Sequence, residues 1–338
     1  MPRPIAVALL LAAAAPVPAP PAPAAAPTAA IDADGYRALR AIDLRLATIA
    51  HRLVTANARL CDRQQPAPGV VLHAIDQYDP DTRAVVRQVF GFVRPVSVEA
   101  VVPGGAADRA GLVADDGVVS INRRPMPAPR TGPKAGDATS ATRDAAAAIL
   151  AAAPTGPSPW VIDRAGATRT LTIDAPAGCR AAFEVLLGPA MAASSDGATV
   201  QIGVRFFERY TDEQVAAVVA HELAHTVLRH RARLEAAGVK WGLLSEFGRN
   251  GRLFRRTESE ADLLGAGLMR NAGYDPAAAV AFWRDHGGDV DGGLFRSRTH
   301  PSSRARADAI AAEIATMPAD RTVFYRPPLI ATRDQPLN

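Results

Sequence analysis

The stretch AAVVAHELAHTVLRH, residues 216–230, decides how the second half of this chain is read. Val215, Val218, Val219, Leu223, Val227 and Leu228 recur at helical spacing, and Thr211 with Gln214 three residues later supplies a capping box. The pattern predicts a helix from Thr211 to about Glu235, closed before Gly238. Within it lies HELAH, residues 221–225. Two histidines four apart project from one face on successive turns, so both imidazoles can reach a single Zn²⁺ at about 2.0–2.1 Å. Glu222, rotated about 100° from His221, points toward a water beside that ion, where it can take a proton and later return it to a leaving group. Glu is rarely buried without a partner, so its place on an apolar helix asks for such a role.

Catalytic zinc sites take three protein ligands, so a third donor is expected downstream. The acidic run ESEAD, residues 258–262, is read as opening a helix that continues through Leu263, Leu264 and Leu268 to Asn271, before Gly273. Glu258 and Asp262 are four apart and share a face, whereas Glu260 lies about 200° round from Glu258. Glu258 is therefore the predicted ligand and Asp262 the acceptor that orients a ligating imidazole. Glu260 is assigned to an acidic first turn that complements the helix dipole. His230, five residues after His225, is expected to point away from the ligand face and to serve as a structural or polar partner.

The first half reads differently. From Gly35 to Leu60 apolar residues follow a helical period, so an amphipathic helix is expected there. Short strands are expected at Val85–Val93, Val96–Val102, Gly117–Ile121, Trp160–Asp163 and Thr168–Ile173, with helices at Ala106–Ala110 and Ser140–Ala153. The run VEAVVPGGAADRAGLVADDGVVSIN, residues 98–122, resembles the core of a permuted bacterial PDZ domain. That resemblance implies that Phe90, Gly91 and Phe92 form a carboxylate-binding loop, able to capture peptide C-termini through backbone N–H groups. Asp115 and Arg123 stand where that family carries glycine.

Four motifs together resemble the gluzincin peptidases of the HtpX and CAAX-prenyl-protease type, metallopeptidase family 48. They are residues 216–230, ESEAD at 258–262, NAGYDP at 271–276 and THPSSRAR at 299–306, within a likeness running from Phe183 to Ile314. The resemblance implies one zinc per chain on His221, His225 and Glu258, with Glu222 as general base. It also carries over His300 and Arg306, each a candidate to stabilise the oxyanion, with His300 alternatively capping the resting zinc. A strand at 198–206 would then be the edge that pairs with an extended substrate, and the loop Gly242–Arg256 a lid over the cleft.

Composition narrows the setting. Lys and Arg number 38 against 34 Asp and Glu, and aromatic residues are 5%, so neither a basic stripe nor a stacking platform for nucleic acid is present. Arg3 followed by the apolar run Ile5–Ala15 reads as a secretory signal cleaved near Ala24–Ala26, or as an uncleaved anchor, and no later window could span a membrane. An exported, periplasmic protein is expected. Cys61 and Cys179 are then either one disulfide or two buried thiols. The expected fold is α+β: signal and leader (1–30), a helical segment (31–84), a β-rich PDZ-like domain (85–176), a mainly helical gluzincin-type metallopeptidase domain with a small edge-strand sheet (177–321) and an irregular tail (322–338). The expected activity is endoproteolysis of unfolded or misassembled exported polypeptides, with a peptide-binding, chaperone-like role through the PDZ-like part as the alternative and an aminopeptidase as a third.

Overall fold

The computed structural model describes residues 32–130, 137–239, 248–290 and 301–337. The expected signal segment, His300 and the first part of the 242–256 loop lie outside the described residues.

Helix α1 (Ala33–Ala56) starts where the Asp32 side chain accepts a hydrogen bond from Gly35 N at 2.8 Å. Its face of Leu46, Ile49, Leu53 and Val54 is buried in the core of the C-terminal half. Where α1 ends, buried Asn57 donates through Nδ2 to the carbonyls of Leu53 and Leu268 at 2.9 and 3.0 Å, closing the helix end and joining it to the later chain.

A β-rich body follows, built of β1 (Gln64–Pro66), β2 (Val70–Ala74), α2 (Arg83–Phe90), β3 (Val96–Val101), α3 (Ala106–Arg109), β4 (Gly117–Ile121), β5 (Arg124–Pro125), α4 (Ala141–Ala151), β6 (Gly156–Arg164), β7 (Ala167–Ala175) and β8 (Ala177–Cys179). Its antiparallel sheet runs β2-β3-β4-β6-β7, with β5 beside β4. The core under that sheet gathers Val96, Val98, Leu112, Val118, Ile121, Trp160, Ile162 and Ile173, the inward positions of its strands. Residues 85–93, expected as a strand, are instead helical in α2 as far as Phe90: Val86 and Phe90, four apart, are fully buried together, a helical and not an alternating pattern. Asp115 and Arg123 have φ of 69° and 65°, so both occupy backbone positions that glycine adopts without strain.

The sheet body leaves and re-enters the rest of the chain through a narrow neck. Strands β1 and β8 pair antiparallel, Gln64 opposite Cys179 and Pro66 opposite Ala177. At the same place Cys61 and Cys179 are joined in a disulfide, Cα–Cα 5.4 Å, 118 residues apart in sequence.

Beyond the neck lie β9 (Ala182–Leu186), β10 (Ala193–Ser195), β11 (Thr199–Gly203) and the helices α5 (Val204–Arg209), α6 (Asp212–Val227), α7 (His230–Ala236), α8 (Gly248–Asn271), α9 (Ala277–Val290) and α10 (Ser303–Thr316). The fold is thus mixed α+β with a mainly helical C-terminal half. Its small sheet has the order β10-β11-β9, so the strand expected at 198–206 is the central one, shortened where α5 takes over at Val204. Two further differences concern the helices. The helix expected through 235 breaks after Val227 because Arg229 is left-handed, φ 53°. The helix expected to open at ESEAD begins ten residues earlier, so Glu258 sits in its interior. No helix among the described residues is long and apolar enough to cross a membrane.

Two predictions follow from this packing. Replacing Cys61 and Cys179 by serine opens a 118-residue loop; chain entropy then predicts a loss of about 5 kcal/mol, read as a lower denaturant midpoint. The second concerns Glu99, which burial, and then the adjacent Asp43 carboxyl, push up to about 8. A carboxyl whose proton is held by the fold loses stabilising effect as pH rises from its ordinary value of 4.5 to about 8. Glu99→Gln should flatten that fall in melting temperature, measured across the same window.

Candidate metal centre

The site is made where α8 crosses α6. At Gly265 a Cβ would stand 3.2 Å from His221 N and 3.3 Å from its Cα, so the absence of a side chain lets the backbones approach this closely. Three and seven residues before that crossing, on the same face of α8, come Asp262 and Glu258. Both carboxylates are thereby carried to the histidines of α6.

Three donor atoms converge. His221 Nε2 lies 3.2 Å from His225 Nε2 and 3.2 Å from Glu258 Oε2, and His225 Nε2 lies 3.5 Å from Glu258 Oε1. Ligands about 2.0–2.1 Å from a tetrahedral ion are separated from one another by about 3.3 Å, so this spacing fits zinc closely. Among the described residues these three form the cluster able to hold a metal ion. Each is about one-eighth exposed, open enough on one side for a further ligand. Glu222, mostly buried, lines the same cleft of about 660 Å³. So do the outer strand β10, Phe254 and Trp283, and it is β10, not β11, that offers a sheet edge here.

Each histidine is supported from behind, and the two supports differ. Behind His221, Asp262 Oδ1 accepts from Nδ1 at 2.9 Å. Arg306 donates to both oxygens of Asp262, Nε to Oδ2 and Nη2 to Oδ1, each at 2.7 Å, with its guanidinium carbon 3.4 Å above the Trp283 ring centroid. Burial opposes charge on Asp262, but Arg306 and His221 hold its carboxyl below the usual range. Arg306, expected to stabilise an oxyanion, is 3% exposed, lines the cleft and is bound bidentately to Asp262 behind His221.

Behind His225 stands a feature that spacing alone did not reveal. His225 Nδ1 is 2.9 Å from His230 Nδ1, and His230 Nε2 is 3.2 Å from Glu260 Oε2. Glu260 also accepts from Arg233 Nη1 at 2.7 Å and from Arg256 Nε at 2.9 Å. Burial opposes its charge, yet these donors bring it down to about 2. The signal that could have found this group is the acidic residue on the opposite face of α8, which an apolar surround would not hold unpaired. The electrostatics of the two imidazoles diverge accordingly. Burial lowers His221, but Asp262 and Glu258 carry it up to about 10, whereas burial brings His225 down to about 3.

The loop expected to capture a peptide carboxylate is arranged otherwise. Phe90 and Phe92 are buried against Tyr36, Tyr78 and His73. Gly91 N–H donates to Arg87 O at 3.0 Å and Phe92 N–H to Phe90 O at 2.7 Å, so neither is available to a peptide carboxylate. His300 lies outside the described residues.

A profile of the family described as Peptidase family M48 matches residues 247–314, the segment that carries Glu258, Asp262 and Arg306. The chain is 37% identical over 116 residues to Mitochondrial metalloendopeptidase OMA1 of Schizosaccharomyces pombe, covering 28% of this chain and 34% of that protein. It is 30% identical over 135 residues to Mitochondrial metalloendopeptidase OMA1 of Arabidopsis thaliana, covering 34% of this chain and 27% of that protein. The matched region thus spans about a third of these relatives' length. Both are named mitochondrial, and this overturns the expectation of a periplasmic protein. The match supports family M48 and not the finer HtpX or CAAX-prenyl-protease likeness. The profile is named for a peptidase family and both relatives are named metalloendopeptidases.

Proposed function

We propose that this chain is a zinc-dependent endopeptidase that cleaves extended polypeptide segments laid across the α6–α8 cleft. The observation that carries the reading is the convergence of His221 Nε2, His225 Nε2 and a Glu258 carboxylate oxygen at 3.2 to 3.5 Å, beside Glu222. His221, His225 and Glu258 would hold the ion, which when bound supplies Lewis acidity toward water and the scissile carbonyl. Glu222 takes the proton of the attacking water on its carboxylate and delivers it to the departing amine. With an ion bound in place of the Nε2 proton, His221 would keep its remaining proton on Nδ1 toward Asp262, and Arg306 keeps Asp262 ionised and in place. Strand β10 is the edge along which a substrate backbone can pair. The sheet body is read as a PDZ-like module that carries or positions substrate; its residues 90–92 have spent two backbone donors internally, which disfavours carboxylate capture there.

The test combines metal analysis of the purified chain with casein digestion in the presence and absence of chelator. One zinc per chain and chelator-sensitive digestion are expected, and an N-terminally blocked peptide should be cut, as an endopeptidase requires. Glu222→Gln should keep the zinc while kcat falls by about 10²–10⁴-fold. Glu258→Gln should lose metal and activity together. Digestion by Glu222→Gln at the wild-type rate would end this assignment.

A further inference from the structure

We propose that His230 and Glu260, held by Arg233 and Arg256, form a relay that fixes the ring orientation and tautomer of His225 and thereby sets the centre's affinity for its metal. The inference rests on the zinc-peptidase reading above.

His225 turns Nε2 toward His221 and Glu258, which leaves Nδ1 facing His230 at 2.9 Å. A neutral imidazole that gives one nitrogen to a metal carries its proton on the other, so His225 Nδ1–H is the donor in that contact. His230 Nδ1 must then accept, which places the His230 proton on Nε2, 3.2 Å from Glu260 Oε2. Glu260 already receives Arg233 Nη1 and Arg256 Nε, neither of which can accept a hydrogen bond. The polarity of the whole line therefore runs one way, from ligand to carboxylate. His230, Arg233 and Glu260 are 1%, 6% and 6% exposed, so water competes little for the bonds among these three, while Arg256 joins from the more exposed side. A buried ion pair is in itself weak evidence of a contribution to stability, and the aim of this one at a ligand nitrogen is what gives it a role.

Two measurements test the relay on the full chain. In the ¹⁵N-labelled, zinc-loaded protein, the imidazole spectrum should show a proton on His225 Nδ1 coupled through the hydrogen bond to an unprotonated His230 Nδ1, with the His230 proton on Nε2. A His230 ring protonated on Nδ1, or no coupling between the two nitrogens, would overturn the relay without need of any variant. The second measurement is zinc affinity by competition with a chromogenic chelator. Glu260→Gln and His230→Leu should raise the zinc Kd by about 10–100-fold. His230→Gln, whose amide can accept from His225 and donate to Glu260, should recover much of that loss. Glu235→Gln, on the exposed face of α7 where its partner is Arg231, should leave the Kd unchanged. A wild-type chain that takes up no zinc would overturn this inference and the peptidase reading together. A wild type that binds zinc while Glu260→Gln and His230→Leu stay within about twofold of it would overturn the relay alone.

Discussion

Everything at the centre depends on how closely two helix backbones approach. Gly265 lies against His221, and the approach is possible because α8 has no side chain at the crossing. From that point the helical repeat places Asp262 and Glu258 without further adjustment, one behind the first histidine and one beside both. Even a single Cβ at 265 would stand 3.2 Å from His221 N, tighter than ordinary packing, so the crossing leaves α8 almost no room to carry a side chain there. The ligand set is therefore a property of the crossing as much as of the motif.

The two histidines are held by different means. His221 rests on a carboxylate directly, and that carboxylate is clamped by a guanidinium stacked on Trp283. His225 reaches its carboxylate through a second imidazole. In both cases an arginine stands at the end of the line, so each buried carboxylate stays ionised against the cost of burial. Each candidate ligand histidine is thus held from behind by a hydrogen bond, which limits the ordering that binding an ion would require.

Much of this was legible in the sequence because helical spacing is geometric. HELAH puts two imidazoles on one face, and the four-residue interval from Glu258 to Asp262 does the same for two carboxylates. His230 is the polar partner its reading allowed, but its direction did not follow from spacing: counting five residues along an unbroken helix turns it away, whereas the left-handed Arg229 ends α6 and swings α7 so that the ring returns to His225. A single φ value carries that information, and no periodicity records it. Residues 85–93 failed differently, since valines spaced for a strand also fit a short helix whose Val86 and Phe90 share one buried face. Arg306 was found by its motif, yet its role needed coordinates, because only they show that its donors are turned toward Asp262.

The neck at β1 and β8 carries a consequence for how this chain is assembled. The sheet body departs after Pro66 and returns at Ala177, two residues that sit opposite each other on paired strands, while the later turns of α1 before it and β9 after it belong to the other core and Tyr36 at the start of α1 packs on the sheet body. A short reverse turn linking those strands would bypass the body altogether and preserve the chain path through α1, α6 and α8. The sheet body is in that sense an insertion with adjoining ends that is nonetheless clasped: Tyr36 and Arg40 of α1 meet Phe90 and Asp115, and Arg143 of α4 pairs with Glu184 of β9, so exchanging it would mean re-covering the start of α1.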